Sequence, residues 1–143
     1  MLKGLDPLID AELLFVLAAM GHGDELAVVD ANFPAVSFSR RLVRLSGADV
    51  NEAMRAVLSV LPLDTVVDEP VVAMELACAR GEMRPVHLEV HAVCEEIEGR
   101  PITMGSLSRE AFYGRARQAF AVLATSEQRP YGCFLLTKGV LGA

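Results

Sequence analysis

The 143-residue chain has no tryptophan, only three cysteines and no run of basic residues. Its longest apolar run, Leu13 to Gly21, falls far short of the ~18–20 residues that a membrane span requires. Each of these absences excludes something. Asp6, Asp10 and Glu12 lie inside what would have to be the apolar region of a signal peptide, so neither a leader nor a membrane anchor is expected. Cys78, Cys94 and Cys133 are odd in number and show no CxxC spacing. That argues against a disulfide framework or a zinc knuckle, and for a reduced, cytoplasmic setting. A net charge of −6 repels nucleic acid on average, so no nucleic-acid partner is expected. The phosphate-cradling GxGxxG and GxxxxGK[ST] loops are missing, as are GxSxG and HExxH.

What is present is an excess of apolar side chains, 52% of the chain, with a mean hydropathy of +0.37. With no span to absorb them, these residues are expected to be buried partly between subunits, because an obligate interface resembles a core cut in half. The chain therefore reads as a homo-oligomer of one domain, residues 1–143, long enough to bury a core without staples.

Helices and strands alternate along it. Asp10 can cap a helix from Ala11, with Leu13, Leu14, Leu17 and Ala18 at helical spacing and Gly21 as its stop. Leu26–Val29 reads as a buried strand and Leu42–Leu45 as a second. Asp49 and Glu52 have capping-box spacing ahead of the apolar face Ala53, Val57, Leu58 and Leu61. Strand candidates follow at Val71–Ala77 and Ile102–Met104, with a helix from Pro85 to about Glu98 between them. Ser108 can cap a helix whose Phe112, Ala116, Ala119 and Phe120 face the core, and Ala121–Ala124 and Phe134–Leu136 close the chain as strands. The class is α/β, a mixed central sheet packed by helices.

Three polar clusters can carry chemistry. In Gly21-His22-Gly23-Asp24-Glu25, two glycines leave His22 little shielded, and histidine exchanges protons near neutrality. Asp30 closes the following strand, where α/β proteins commonly hold ligands. The same residues also read as a solvated turn and a loop cap. In Ser108–Tyr113, Arg109 falls in a first helical turn and Tyr113 lies off the apolar stripe, or else both are simply surface residues. In Pro130-Tyr131-Gly132-Cys133, Tyr131 can stack on a ligand or donate a hydrogen bond, although Pro-Tyr-Gly is also ordinary turn chemistry. His87, His91 and Glu95 share one helical face and suit zinc by spacing, but such histidines more often form a solvated face, and no metal is expected.

The stretches Ala18–Glu25, Asp30–Pro34, Leu61–Asp64, Arg109–Tyr113, Ala116–Thr125, Tyr131–Cys133 and Lys138–Val140 together resemble the L-fucose mutarotase and D-ribose pyranase family, from about residue 1 to 141. Gly-His-Gly-Asp, Arg109 and the Phe-Tyr pair are closer to the fucose branch. The resemblance implies a cofactor-independent isomerase that interconverts the α and β anomers of a free monosaccharide, L-fucose first. It implies His22 and Tyr113 as catalytic groups, and Asp30, Asp64, Arg109, Tyr131 and Cys133 as substrate-binding ones. Cys133 stands where the family carries asparagine, and a thiol cannot reproduce an amide's paired donor and acceptor. Rings, commonly decamers with sites near subunit contacts, are also implied. The alternative is a non-catalytic sugar-binding accessory of sugar uptake, which would use the same pocket.

Overall fold

Local hydrogen bonds start the helices where the spacing predicts. In the computed structural model, which describes residues 1–76 and 81–142, the Asp10 carboxylate accepts the N–H of Leu13 and opens α1 (Ala11–Ala19). Asp49 and Glu52 form the full reciprocal capping box at the head of α2 (Val50–Leu58). Pro85 leads α3 (Pro85–Glu98), which Gly99 ends in the left-handed conformation, and Ser108 caps α4 (Arg109–Gln118).

The strands are β1 (Glu25–Val29), β2 (Leu42–Leu45), β3 (Val71–Met74), β4 (Met104–Leu107), β5 (Ala121–Thr125) and β6 (Phe134–Thr137). They form one sheet in the order β2-β5-β1-β6-β3-β4. β6 runs antiparallel to both β1 and β3, and the other pairs are parallel, so the sheet is mixed as expected. Alternate strand residues point to opposite faces. Leu26, Val28, Leu123, Phe134 and Leu136 pack under α1, α2 and α3. Ala27, Val29, Val122 and Leu135 pack under Phe112 and Ala116 of α4 and under Phe33 of the loop after β1. The second face has one helix where the first has three, and the crevice described below opens beside that helix. Among the described residues, no helix is long and apolar enough to cross a membrane.

Three expectations change. β4 begins at Met104, not Ile102, because the backbone of Ile102 is held by α3: its N–H donates to Glu95 and its carbonyl accepts from His91 Nε2 at 2.7 Å. β3 ends at Met74, and Ala77, its expected end, lies outside the described residues along with Cys78. Phe120 is not on the inward face of α4. It follows the helix, packs against the other layer and carries the Arg41 guanidinium 4.1 Å above its ring.

Candidate active site

At the C-terminal end of β1 the Asp30 carboxylate ties two loops together. Oδ1 accepts the N–H groups of Asn32 and Phe33, while Oδ2 accepts Gly132 N–H at 3.1 Å and the Cys133 thiol at 3.4 Å. The loop that follows packs Phe33 and Phe38 against the Tyr113 ring, at 5.1 and 4.9 Å between centroids. Arg109 and Tyr113 are one turn apart on α4 and so share a face. Together with Asn32, Met74, Pro130, Tyr131 and Cys133, they line a crevice of about 180 Å³. Five of the seven expected site residues, Asp30, Arg109, Tyr113, Tyr131 and Cys133, therefore meet in one place.

Their electrostatic states differ. Burial raises the Tyr113 pKa despite the opposing charge of Arg109, so the phenol keeps its proton at neutral pH. Burial, reinforced by the Asp30 charge, pushes the Cys133 thiol well up, and it stays a donor. Arg109 is exposed, and its contact with Glu110 at 3.6 Å is a solvated pair of little strength. Tyr131 is the only non-glycine residue at positive φ (65°) among the described residues, a conformation that costs on the order of 1–3 kcal/mol and must be held by its surroundings.

His22 and Asp64 lie elsewhere. His22 Nε2 stands 2.9 Å from Asp64 Oδ1, with Asp64 buried and the imidazole half exposed. Burial alone would raise the Asp64 pKa, but the His22 hydrogen bond and the N–H groups of Val67 and Val66 outweigh it and hold the carboxyl below its ordinary value. An ionised carboxylate only accepts, so Nε2 is the donor in this bond, and in the neutral tautomer it selects Nδ1 carries the lone pair. This pair depends on close backbone approach at Gly139, where a Cβ would come within 2.7 Å of Asp64 Cα. The turn at 21–24 is fixed by Gly23 N–H on Lys138 O and by Lys138 Nζ on Leu17 O.

The pair and the crevice occupy opposite ends of the sheet. His22 precedes β1 at the Glu25–Thr137 end, whereas Asp30 follows it beyond the Val28–Phe134 pair. Five strand residues at ~3.3 Å each separate them by roughly 16 Å within one chain.

His87, His91 and Glu95 do not gather as a ligand set. His87 is 1% exposed and turns to Tyr131 O, whereas His91 turns to Ile102 O and lies 3.6 Å from Glu95. Reading them as a solvated face is thus wrong for His87. The helical pattern hid this, because the loop that covers His87 is distant in sequence. Met74 in the crevice wall and Glu127, whose carboxylate braces the loop through Arg129 at 2.9 Å, also carried no local signal. Met74 reaches the site through strand pairing, with Leu107 of β4 on one side and its N–H on Cys133 O on the other.

Known proteins share this architecture. A fucose mutarotase of Homo sapiens is 42% identical over 98% of this chain and 94% of its own length. The crystal structure of the fucose mutarotase from Streptococcus pneumoniae in complex with L-fucose is 35% identical, with a TM-score of 0.88 over 98% of this chain and 99% of that one. FucU from Bifidobacterium longum is 39% identical, with a TM-score of 0.91 over 97% and 99%. A family model matches residues 3–141, and the chain belongs to the RbsD / FucU transport protein family.

Proposed function

We propose that this protein is a sugar mutarotase that interconverts the α and β anomers of a free monosaccharide, L-fucose first, with no cofactor. The observation that carries the reading is the Asp64–His22 pair. It holds the imidazole through Nε2 and leaves the Nδ1 edge on an exposed turn, the arrangement by which an oriented histidine acts as a general base. The crevice supplies the complementary half: a phenol that keeps its proton, an arginine, and aromatic walls about a volume suited to one sugar ring rather than to the ~300–1,000 Å³ of drug-sized pockets. The names of the relatives support the same substrate.

Since one chain holds the halves apart, His22 of a second copy completes the crevice of the first. Val66, Val67, Val140 and Leu141 are exposed around the Asp64–His22 pair and suit a subunit contact there. A closed ring repeats such a head-to-tail contact, and a decamer is the assembly that the resemblance implies. A cytoplasmic setting fits Cys94 and Cys133, which are free thiols.

In the reaction, His22 Nδ1 removes the proton from the anomeric hydroxyl as the bond between C1 and the ring oxygen breaks. The Tyr113 phenol protonates that ring oxygen. The open aldehyde turns about C1–C2. The ring oxygen then returns its proton to Tyr113 and attacks the other face of C1, while His22 gives its proton back to the carbonyl oxygen. Every bond and proton is restored, so nothing is consumed. Arg109, Asp30, Tyr131 and Cys133 orient the sugar.

Saturation-transfer NMR on L-fucose at anomeric equilibrium, with D-ribose and D-galactose alongside, tests this. Transfer between anomeric signals is expected to be fastest for L-fucose. His22→Asn should slow it by about 10²–10⁴-fold with the fold intact by circular dichroism. Unchanged transfer in that variant would sink the assignment of His22. No transfer with any of the sugars would favour the non-catalytic sugar-binding reading.

A further inference from the structure

His87 takes no part in the proton transfers above, yet it is buried where α3 meets the Tyr131 loop. It sits in the first turn of α3, and its Nδ1 accepts the N–H of Arg84 at 3.0 Å. A neutral imidazole with Nδ1 as acceptor carries its proton on Nε2. Nε2 therefore donates to the Tyr131 carbonyl, 2.9 Å away. The N–H of the same peptide unit, Gly132 N–H, donates to Asp30 Oδ2. The peptide plane between Tyr131 and Gly132 is thus gripped at both ends, by His87 and by Asp30. That plane sets the direction of Tyr131, which stands in the left-handed region that a bulky side chain adopts only when its surroundings compel it. Arg84, one turn before His87, lies 5.8 Å from the Tyr131 ring centroid and steadies the ring itself.

We propose that His87 is a positioning residue for sugar binding: through the Tyr131 carbonyl it holds Tyr131 in the conformation that makes it a wall of the crevice. The proposal rests on the reading of Tyr131 as a sugar contact. Burial lowers the His87 pKa, against the pull of the Tyr131 and Met74 carbonyls, so the neutral form with this hydrogen-bond pattern persists at physiological pH.

Two substitutions separate the two bonds of His87. His87→Asn retains a short acceptor for Arg84 N–H but cannot reach Tyr131. His87→Gln retains a donor of the right reach for Tyr131 O but loses the helix-start bond. Both remove the ring that packs edge-on against Phe134, so their stability losses are comparable. KM and kcat for L-fucose would be measured by NMR exchange for each, and for each combined with Tyr131→Ala. His87→Asn is expected to raise KM up to about tenfold with kcat little changed, as loss of one hydrogen bond used in uniform binding does. His87→Gln should restore KM toward the wild-type value. In the Tyr131→Ala background His87→Asn should add nothing, because the side chain being aimed is gone. A normal KM in His87→Asn, or equal effects of both substitutions, would overturn the positioning role and leave His87 as a helix-start and packing residue. If Tyr131→Ala alone leaves KM unchanged, the sugar-contact reading of Tyr131 fails instead, and the positioning proposal falls with it.

Discussion

Both oxygens of the Asp30 carboxylate already accept two donors each, three backbone N–H groups and the Cys133 thiol. A sugar hydroxyl that reaches Asp30 must compete with one of them, and the thiol, the weakest and longest of the four, yields first. Cys133 is therefore a hydrogen-bond partner of Asp30 rather than a reactive centre. Its thiol is held protonated by burial and by the neighbouring charge, and burial with Glu98 and Glu95 pushes Cys94 up to about 12. Thiolate is the species that alkylates. Iodoacetamide at mildly alkaline pH is expected to leave both cysteines unmodified in the native protein and to label both after denaturation, as read by peptide mass spectrometry. Rapid native labelling of Cys133 would show instead a thiolate open to solvent. The family resemblance implied Asp30 and Cys133 as substrate residues, but the sequence held no sign of their mutual bond.

The helices were the most legible elements, because their starts are set by contacts within one turn. Asp49 and Glu52 satisfy two otherwise unpaired N–H groups at the head of α2, and both bonds are three residues long in sequence. Asp49→Ala is expected to cost about 1 kcal/mol, measured as a shift of the denaturation midpoint at unchanged slope. An unshifted midpoint would mean that water replaces the cap without loss. Strand limits were less legible where a backbone group finds a side-chain partner instead of a ladder. Ile102 shows this: Glu95 and His91 of α3 take its N–H and carbonyl, so the strand starts two residues later. Phe120 shows the related failure of periodicity at an element end, since the chain leaves α4 at Ala119 and the next side chain turns to the other layer.

At the scale of the molecule, the sheet keeps His22 and the crevice at opposite ends, and under the proposed mechanism only assembly can join them. Subunits of His22→Asn and Tyr113→Phe, each inactive alone, test this when they are co-expressed. If each site takes His22 from one copy and Tyr113 from another, random mixing leaves about a quarter of the sites with both groups intact, and exchange should recover to about that share of wild type. No recovery would mean that one copy supplies both groups. The sequence by itself determined the α/β class, the helix starts, the buried strand runs and, through resemblance, which residues to watch. Those features depend on periodicity and on bonds between near neighbours. The tertiary structure decided which of these residues meet: Asp30 with Cys133 across 103 positions, His22 with Asp64 across 42, and His87 with Tyr131 across 44. It also decided which nitrogen of His87 carries the proton, because that depends on the partners on either side of the ring. Strand order sets such long-range partners, and no local pattern encodes it.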